Sequence, residues 1–67
     1  MKTLKELKKV YPERIKTSGS IYYIDGQGWY RQKKTFFGVE TSTRDSQGNW
    51  TRVNFENLVA TMEQLYK

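Results

Sequence analysis

The sequence predicts one small α+β domain spanning residues 1–67. A three- or four-stranded antiparallel sheet is flanked by an N-terminal and a C-terminal helix, in the order α-β-β-β-α. Three observations predict this class: helical spacing of apolar residues at both ends, β-branched and aromatic runs between them, and turn sequences separating those runs. Packing both helices on one face of the sheet is the natural way to bury an apolar side of each element.

The first helix has a recognisable start and end. Thr3 and Glu6 have the spacing of a capping box, in which each side chain reaches a free backbone N–H. The apolar residues that share one face of this helix are Leu4, Leu7, Val10 and Tyr11. Pro12 disfavours the helical conformation at Tyr11, so the helix is predicted to end there. Alternatively, Pro12 opens a second short turn that reaches Ile15.

The middle of the chain alternates β-forming runs with turns, after a predicted loop at residues 17–20. The predicted strands span residues 20–24, 29–32, 35–44 and 50–53. Asp25–Gly28 contains the Asp-Gly pair typical of hairpins, and Gly48 provides a left-handed position in the turn at 45–49. Lys33 and Lys34 form either a polar turn or a charged stretch of edge strand, so the number of strands is left at three or four.

The C-terminal helix carries the strongest periodic pattern. Asn54 is a suitable N-cap residue. The apolar stripe at helical spacing consists of Phe55, Leu58, Val59, Met62, Leu65 and Tyr66. Lys67 is predicted to lie at the negative end of the helix dipole.

Composition argues against catalysis. The chain has no His and no Cys, so it lacks a general base poised near neutrality, a thiol nucleophile and the usual metal ligands. A domain of 67 residues also has little volume for a pocket. We therefore expect a protein that is not an enzyme and uses no cofactor or metal. Its ten aromatic residues can build a core from few side chains.

No run of apolar residues is long enough for a signal peptide or a membrane span. The sequence therefore predicts a cytoplasmic protein with no membrane partner.

Positive charge is concentrated in one half of the chain. Residues 1–34 hold nine basic and three acidic residues, a sum of +6, whereas residues 35–67 sum to −1. This asymmetry indicates a phosphate-facing surface. Its candidate residues are Lys5, Lys8, Lys9, Arg14, Lys16, Arg31, Lys33 and Lys34. The plain alternative is a solvated helix face together with a strand edge blunted by lysines.

Strand alternation adds aromatic residues to this surface. With a period of two, Trp29 shares a face with Arg31 and Lys33, and Trp50 shares a face with Arg52. If the helices cover the face that bears Val53, Phe37 and Val39, Trp50 and Arg52 face solvent. The structural alternative places both tryptophans in the core. Adjacent aromatics point to opposite faces at two places in the sheet, Tyr22–Tyr23 and Phe36–Phe37, so apolar groups are expected on both sides.

These features predict a small non-enzymatic binding protein. The first hypothesis is nucleic-acid binding through the basic N-terminal half and an aromatic sheet face, with DNA and RNA both open. The second is a protein-interaction module of the kind that phages and mobile elements encode: a regulator, inhibitor or accessory subunit that covers an acidic partner surface. A homodimer that shares a sheet or helix face is a third reading.

Overall fold

A computed structural model describes residues 1–66, so the predicted position of Lys67 lies outside the described residues. The helices are α1 (Leu4–Val10) and α2 (Phe55–Leu65). The strands are β1 (Ile15–Ser18), β2 (Ile21–Ile24), β3 (Gly28–Thr35), β4 (Gly38–Arg44) and β5 (Trp50–Val53). The α+β class is confirmed: an antiparallel sheet is preceded by one helix and followed by another along the chain.

The sheet has five strands rather than three or four, joined as an antiparallel meander in the order β1-β2-β3-β4-β5. β1 is the additional strand, and the predicted loop at residues 17–20 is wrong for Thr17 and Ser18, which end this strand. β1 contains one buried apolar residue, Ile15, followed by three exposed polar residues, so it carries almost no hydrophobic signal. It forms because its backbone pairs with β2, from Ile15 opposite Ile24 to Ser18 opposite Ile21.

The lysine pair does not interrupt the sheet. β3 continues to Thr35, with Lys33 opposite Glu40 and Lys34 opposite Val39. The predicted strand at 35–44 was therefore too long at its start, because residues 36 and 37 form the turn between β3 and β4. The expectation that Phe37 packs on the helix-covered side is wrong, since its side chain is exposed in that turn.

Both helices pack on the same side of the sheet around one small core. The buried apolar residues that form it are Leu4, Leu7, Ile15, Ile24, Tyr30, Leu58 and Met62. Tyr11, Phe55, Val59 and Tyr66 of the predicted stripes are partly buried and pack against this core, whereas Val10 and Leu65 are exposed. Val10 is 51% exposed, because it is rotated about 120° from Leu4 around the helix. Leu65 is 57% exposed, and Tyr66 packs against this end of the core instead.

The N-terminus of α1 is capped and tied to the sheet. The Thr3 hydroxyl accepts a hydrogen bond from the Glu6 N–H at 3.2 Å, as predicted. Glu6 in turn accepts from the N–H of Lys2 at 3.2 Å. Gln32 of β3 accepts from the Leu4 N–H at 2.6 Å and donates to the Thr41 hydroxyl at 2.7 Å. One amide side chain thus joins α1, β3 and β4.

Replacing Gln32 with alanine is expected to destabilise the fold by about 1–3 kcal/mol, because the partly buried Leu4 N–H and Thr41 hydroxyl lose their partner. The urea midpoint measures this effect. Gln64→Ala, an exposed change on α2, serves as the control and should stay within about 0.5 kcal/mol of the parent. Equal midpoints for the two variants would contradict the role given to Gln32.

The second helix begins as the sequence predicts. The Asn54 side chain accepts from the Glu56 N–H at 2.9 Å and caps α2. At the other end, the Tyr66 hydroxyl donates to the Asp25 carbonyl oxygen. The Tyr66 ring lies 5.6 Å from that of Tyr11. The final turn of α2 is thereby fixed to the loop that links β2 and β3.

The turn between β4 and β5 sets the register of the last strand. The Asp45 carboxylate accepts from the N–H groups of Gln47 at 2.9 Å and Asn49 at 2.8 Å. Gly48 has φ of 87°, which confirms the predicted left-handed position. Arg44 and Trp50 consequently face each other on either side of this turn.

Candidate nucleic-acid interface

The sheet has one covered face and one open face. Ile15, Ile24 and Tyr30 point toward the helices and join the core. Their neighbours along each strand point the other way, and among residues 1–66 no helix or strand covers that side. We call this side the open face. The residues that form it are Lys16, Ser18, Ile21, Tyr23, Trp29, Arg31, Lys33, Glu40, Ser42, Arg44, Trp50 and Arg52.

The open face is strongly positive. Its five cations come from four strands, and its one carboxylate belongs to Glu40, so its formal charge is +4. The cationic residues are Lys16, Arg31, Lys33, Arg44 and Arg52. Glu40 lies opposite Lys33 in the register and offsets mainly that lysine. The remaining cations form a positive surface suited to a polyanion.

Arg31 stacks on Trp50 near the middle of this face. The guanidinium carbon lies 4.3 Å from the centroid of the Trp50 ring, which is a cation–π contact. Arg31 is on β3 and Trp50 on β5, so the side chain crosses β4 beside Ser42, which lies opposite Arg31. Ser42 is only 9% exposed although no helix covers it, so the long side chains around it close over it. A small residue here lets the arginine reach the tryptophan.

A second aromatic pair lies on the β2–β3 side of the open face. The rings of Tyr23 and Trp29 are 5.0 Å apart at an interplanar angle of 62°. Trp29 is 38% exposed, so part of its ring is available to a ligand. The Thr43 hydroxyl donates to the Trp29 carbonyl oxygen at 3.1 Å, which helps to fix the strand beneath the ring.

Six of the eleven candidate residues from the sequence lie together on the open face. They are Lys16, Trp29, Arg31, Lys33, Trp50 and Arg52. Neither tryptophan belongs to the buried core. Trp50 and Arg52 point away from Val53, which packs against the core, as the alternation predicted.

The other five candidates lie elsewhere. Lys5, Lys8 and Lys9 are on α1, which covers the opposite face of the sheet, and Lys8 donates to the Thr17 hydroxyl at 3.3 Å. Arg14 forms a 3.6 Å ion pair with Asp25 and lies 4.8 Å over the Tyr66 ring. Lys34 is on the helix-facing side of the β3–β4 hairpin, opposite Val39.

Sequence reasoning did not include Tyr23 and Arg44 in the site. Tyr23 pairs with Trp29, and Arg44 pairs with Trp50. A usable signal existed for Arg44, because it and Trp50 flank a five-residue turn and therefore had to share a face with Arg52. Assigning Tyr23 to this face required the register between β2 and β3, because that register decides whether Tyr22 or Tyr23 lies opposite Trp29.

The fold and this face define a class of protein: a small α+β domain with helices on one side of an antiparallel sheet and an aromatic, cationic surface on the other. Comparison with protein-family models, curated proteins and solved structures finds no match. Within residues 1–66, no three His, Cys, Asp or Glu side chains come together as a metal site. None of the helices described there is both long and apolar enough to cross a membrane.

Proposed function

We propose that this protein binds single-stranded nucleic acid on its open face. The observation that carries the proposal is the Arg31–Trp50 stack within a surface of formal charge +4. An arginine guanidinium held over a tryptophan ring offers a planar cation at the surface. Bases can stack on such a plane, and phosphates can bind its free N–H groups.

The arrangement suits the two parts of a nucleotide. Tyr23–Trp29 and Arg31–Trp50 provide two stacking positions on the same face. The cations at Lys16, Arg44 and Arg52 surround them and can neutralise phosphates. Stacking on side chains requires bases that are not already stacked in a duplex, which favours a single strand.

The charge pattern favours nucleic acid over an acidic protein surface. Cores of protein–protein interfaces are enriched in arginine and aromatic residues, but they are depleted in net charge and in lysine. The open face instead mixes five cations with its aromatic rings. A nucleic-acid strand repeats one flat base and one negative charge in every unit, so it matches both features at once.

Tryptophan fluorescence offers a direct test, since both tryptophans, Trp29 and Trp50, lie on the open face. We expect single-stranded DNA or RNA of about twelve nucleotides to quench this fluorescence. If three to five cations contact phosphates, the slope of log K against log salt should be about −2 to −3.5. A duplex of the same sequence should bind more weakly. Absence of binding at low salt, or binding that ignores salt, would contradict the proposal.

A further inference from the structure

Strands β3 and β4 extend beyond the rest of the sheet as an arm. The last pair between β4 and β5 is Thr41 with Val53, whereas β3 and β4 continue through three further pairs to Thr35 opposite Gly38. At about 3.3 Å per residue, these pairs add roughly 10 Å before the turn. We call residues 33–40 the β3–β4 arm.

Two phenylalanines form the tip of the arm. Phe36 is 94% exposed and Phe37 95% exposed, and their rings pack edge to face with centroids 5.2 Å apart. The turn itself does not require them, because the positive φ falls on Gly38, at 131°, and turns of this kind favour small polar residues. Two exposed aromatic side chains at a protruding tip therefore indicate contact with another molecule.

The arm is held in shape but stands clear of the body. The Thr35 hydroxyl donates to the Gly38 carbonyl oxygen at 3.2 Å across the turn. On the helix-facing side, a cleft of about 800 Å³ separates the arm from residues 1–2 and from the start of α2, and Val39 and Phe55 are among the residues that line it. The phenylalanine pair is thus presented on a braced hairpin that no other described element covers.

We propose that Phe36 and Phe37 form a second base-stacking site, reached by the same nucleic-acid strand that the open face binds. This inference rests on the proposed function and extends it along β3. Arg31 and Lys33 lie on the open face of that strand and lead toward the tip. From Arg31 to Phe36 the distance along the strand is about 17 Å, which a strand of several nucleotides spans.

The charges next to the tip fit a phosphate backbone. Lys33 and Lys34 lie near the end of β3, before Thr35 and the turn, and Glu40 is the one acidic residue of the arm, so the arm has a formal charge of +1. Phenylalanine flanked by lysine would also suit an anionic lipid surface. Continuity with Arg31, which lies on the same β-strand and contacts the Trp50 ring, favours nucleic acid.

Comparing a short with a long oligonucleotide distinguishes binding at the open face from binding at the tip of the arm. The test variant is Phe36→Ser with Phe37→Ser, and the matched control is Leu65→Ser, an exposed apolar residue of α2 away from the arm. A single strand of about four nucleotides can occupy the open face alone, and we expect the test variant to bind it within about twofold of the parent. A strand of about twelve nucleotides should bind the test variant about tenfold more weakly than the parent or the control, since stacked bases are lost.

Two outcomes would overturn this inference. Equal binding of the long strand by parent and variant would remove the second site but leave the proposed function intact, provided that the short strand binds. Failure of the parent to bind either strand would contradict the proposed function itself, and the inference with it. If the variant binds the long strand as tightly as the parent does, two further measurements identify what the tip contacts. Binding of anionic phosphatidylserine vesicles by the parent but not by the variant would indicate lipid. Dimerisation of the parent alone in light scattering would indicate a second copy. Circular dichroism verifies folding, and Phe37→Ser alone repeats the test if the double variant is unfolded.

Discussion

Replacing Arg31 and Arg52 with alanine is expected to weaken binding of single-stranded nucleic acid by about 25-fold at about 0.1 M salt. Each phosphate contact contributes about 0.7 to the salt exponent of a single strand, so two contacts change log K by about 1.4 at this concentration. The salt slope should fall by the same amount. The two residues flank Ser42 in the centre of the open face, where a bound strand must pass.

The matched control removes two positive charges from the other side of the molecule. Lys5→Ala with Lys9→Ala lowers the net charge of +5 by the same two units. Both lysines are exposed on α1, which packs on the covered face. We expect less than a twofold change in affinity for this pair. Equal weakening by the two double variants would show that total charge governs binding and would contradict the role of the open face.

Replacing Leu7 with alanine is expected to destabilise the protein by about 2–5 kcal/mol. The Leu7 side chain is fully buried in a core of only a few residues. A chain of this size has a total stability of only about 3–5 kcal/mol, so much of the variant should be unfolded at room temperature. Circular dichroism with urea titration measures the unfolded fraction directly.

Val10→Ala provides the comparison within the same helix. Val10 is 51% exposed and lies outside the core, so its truncation leaves no cavity. Alanine also has the higher helix propensity, by a few tenths of a kcal/mol. We expect the urea midpoint to stay unchanged or rise slightly. If Val10→Ala were as damaging as Leu7→Ala, the orientation assigned to α1 would be wrong.

The sequence was most informative where a residue has both a local and a tertiary role. Asn54 caps α2, and Leu58 and Met62 bury one side of this helix. Capping propensity and apolar periodicity therefore indicated the same helix. Thr3 and Glu6 marked the start of α1 in the same way. Alternation also placed Trp50 and Arg52 on the opposite face from Val53, because a strand with one buried side leaves little choice of orientation.

Two parts of the fold could not be read from the chain alone. β1 has one buried side chain, Ile15, and its other residues gain their conformation from pairing with β2. Phe36 and Phe37 resemble strand residues by propensity, yet they form the turn itself, between Thr35 and Gly38. Hydrophobic pattern reports burial, so it fails for aromatic residues that the fold exposes.

The candidate site could be predicted only in part. Charge along the chain does not reveal which side of the sheet a residue occupies. Lys5 and Lys9 contribute as much to the basic half of the sequence as Arg31 and Lys33 do, but α1 packs on the covered face. The alternation of side chains along each strand identified the residues that share a face. The side of the sheet on which α1 packs had to come from the structure.

The most direct test of the open face is an NMR titration of the labelled protein with a single-stranded oligonucleotide. The signals to follow are the backbone amides, the indole N–H groups of Trp29 and Trp50, and the guanidinium Nε–H of Arg31. We predict that these indole and guanidinium signals shift most and that the amides of Lys5 and Lys9 on α1 do not move. Shifts concentrated on α1, with Trp29 and Trp50 unchanged, would contradict binding through the open face.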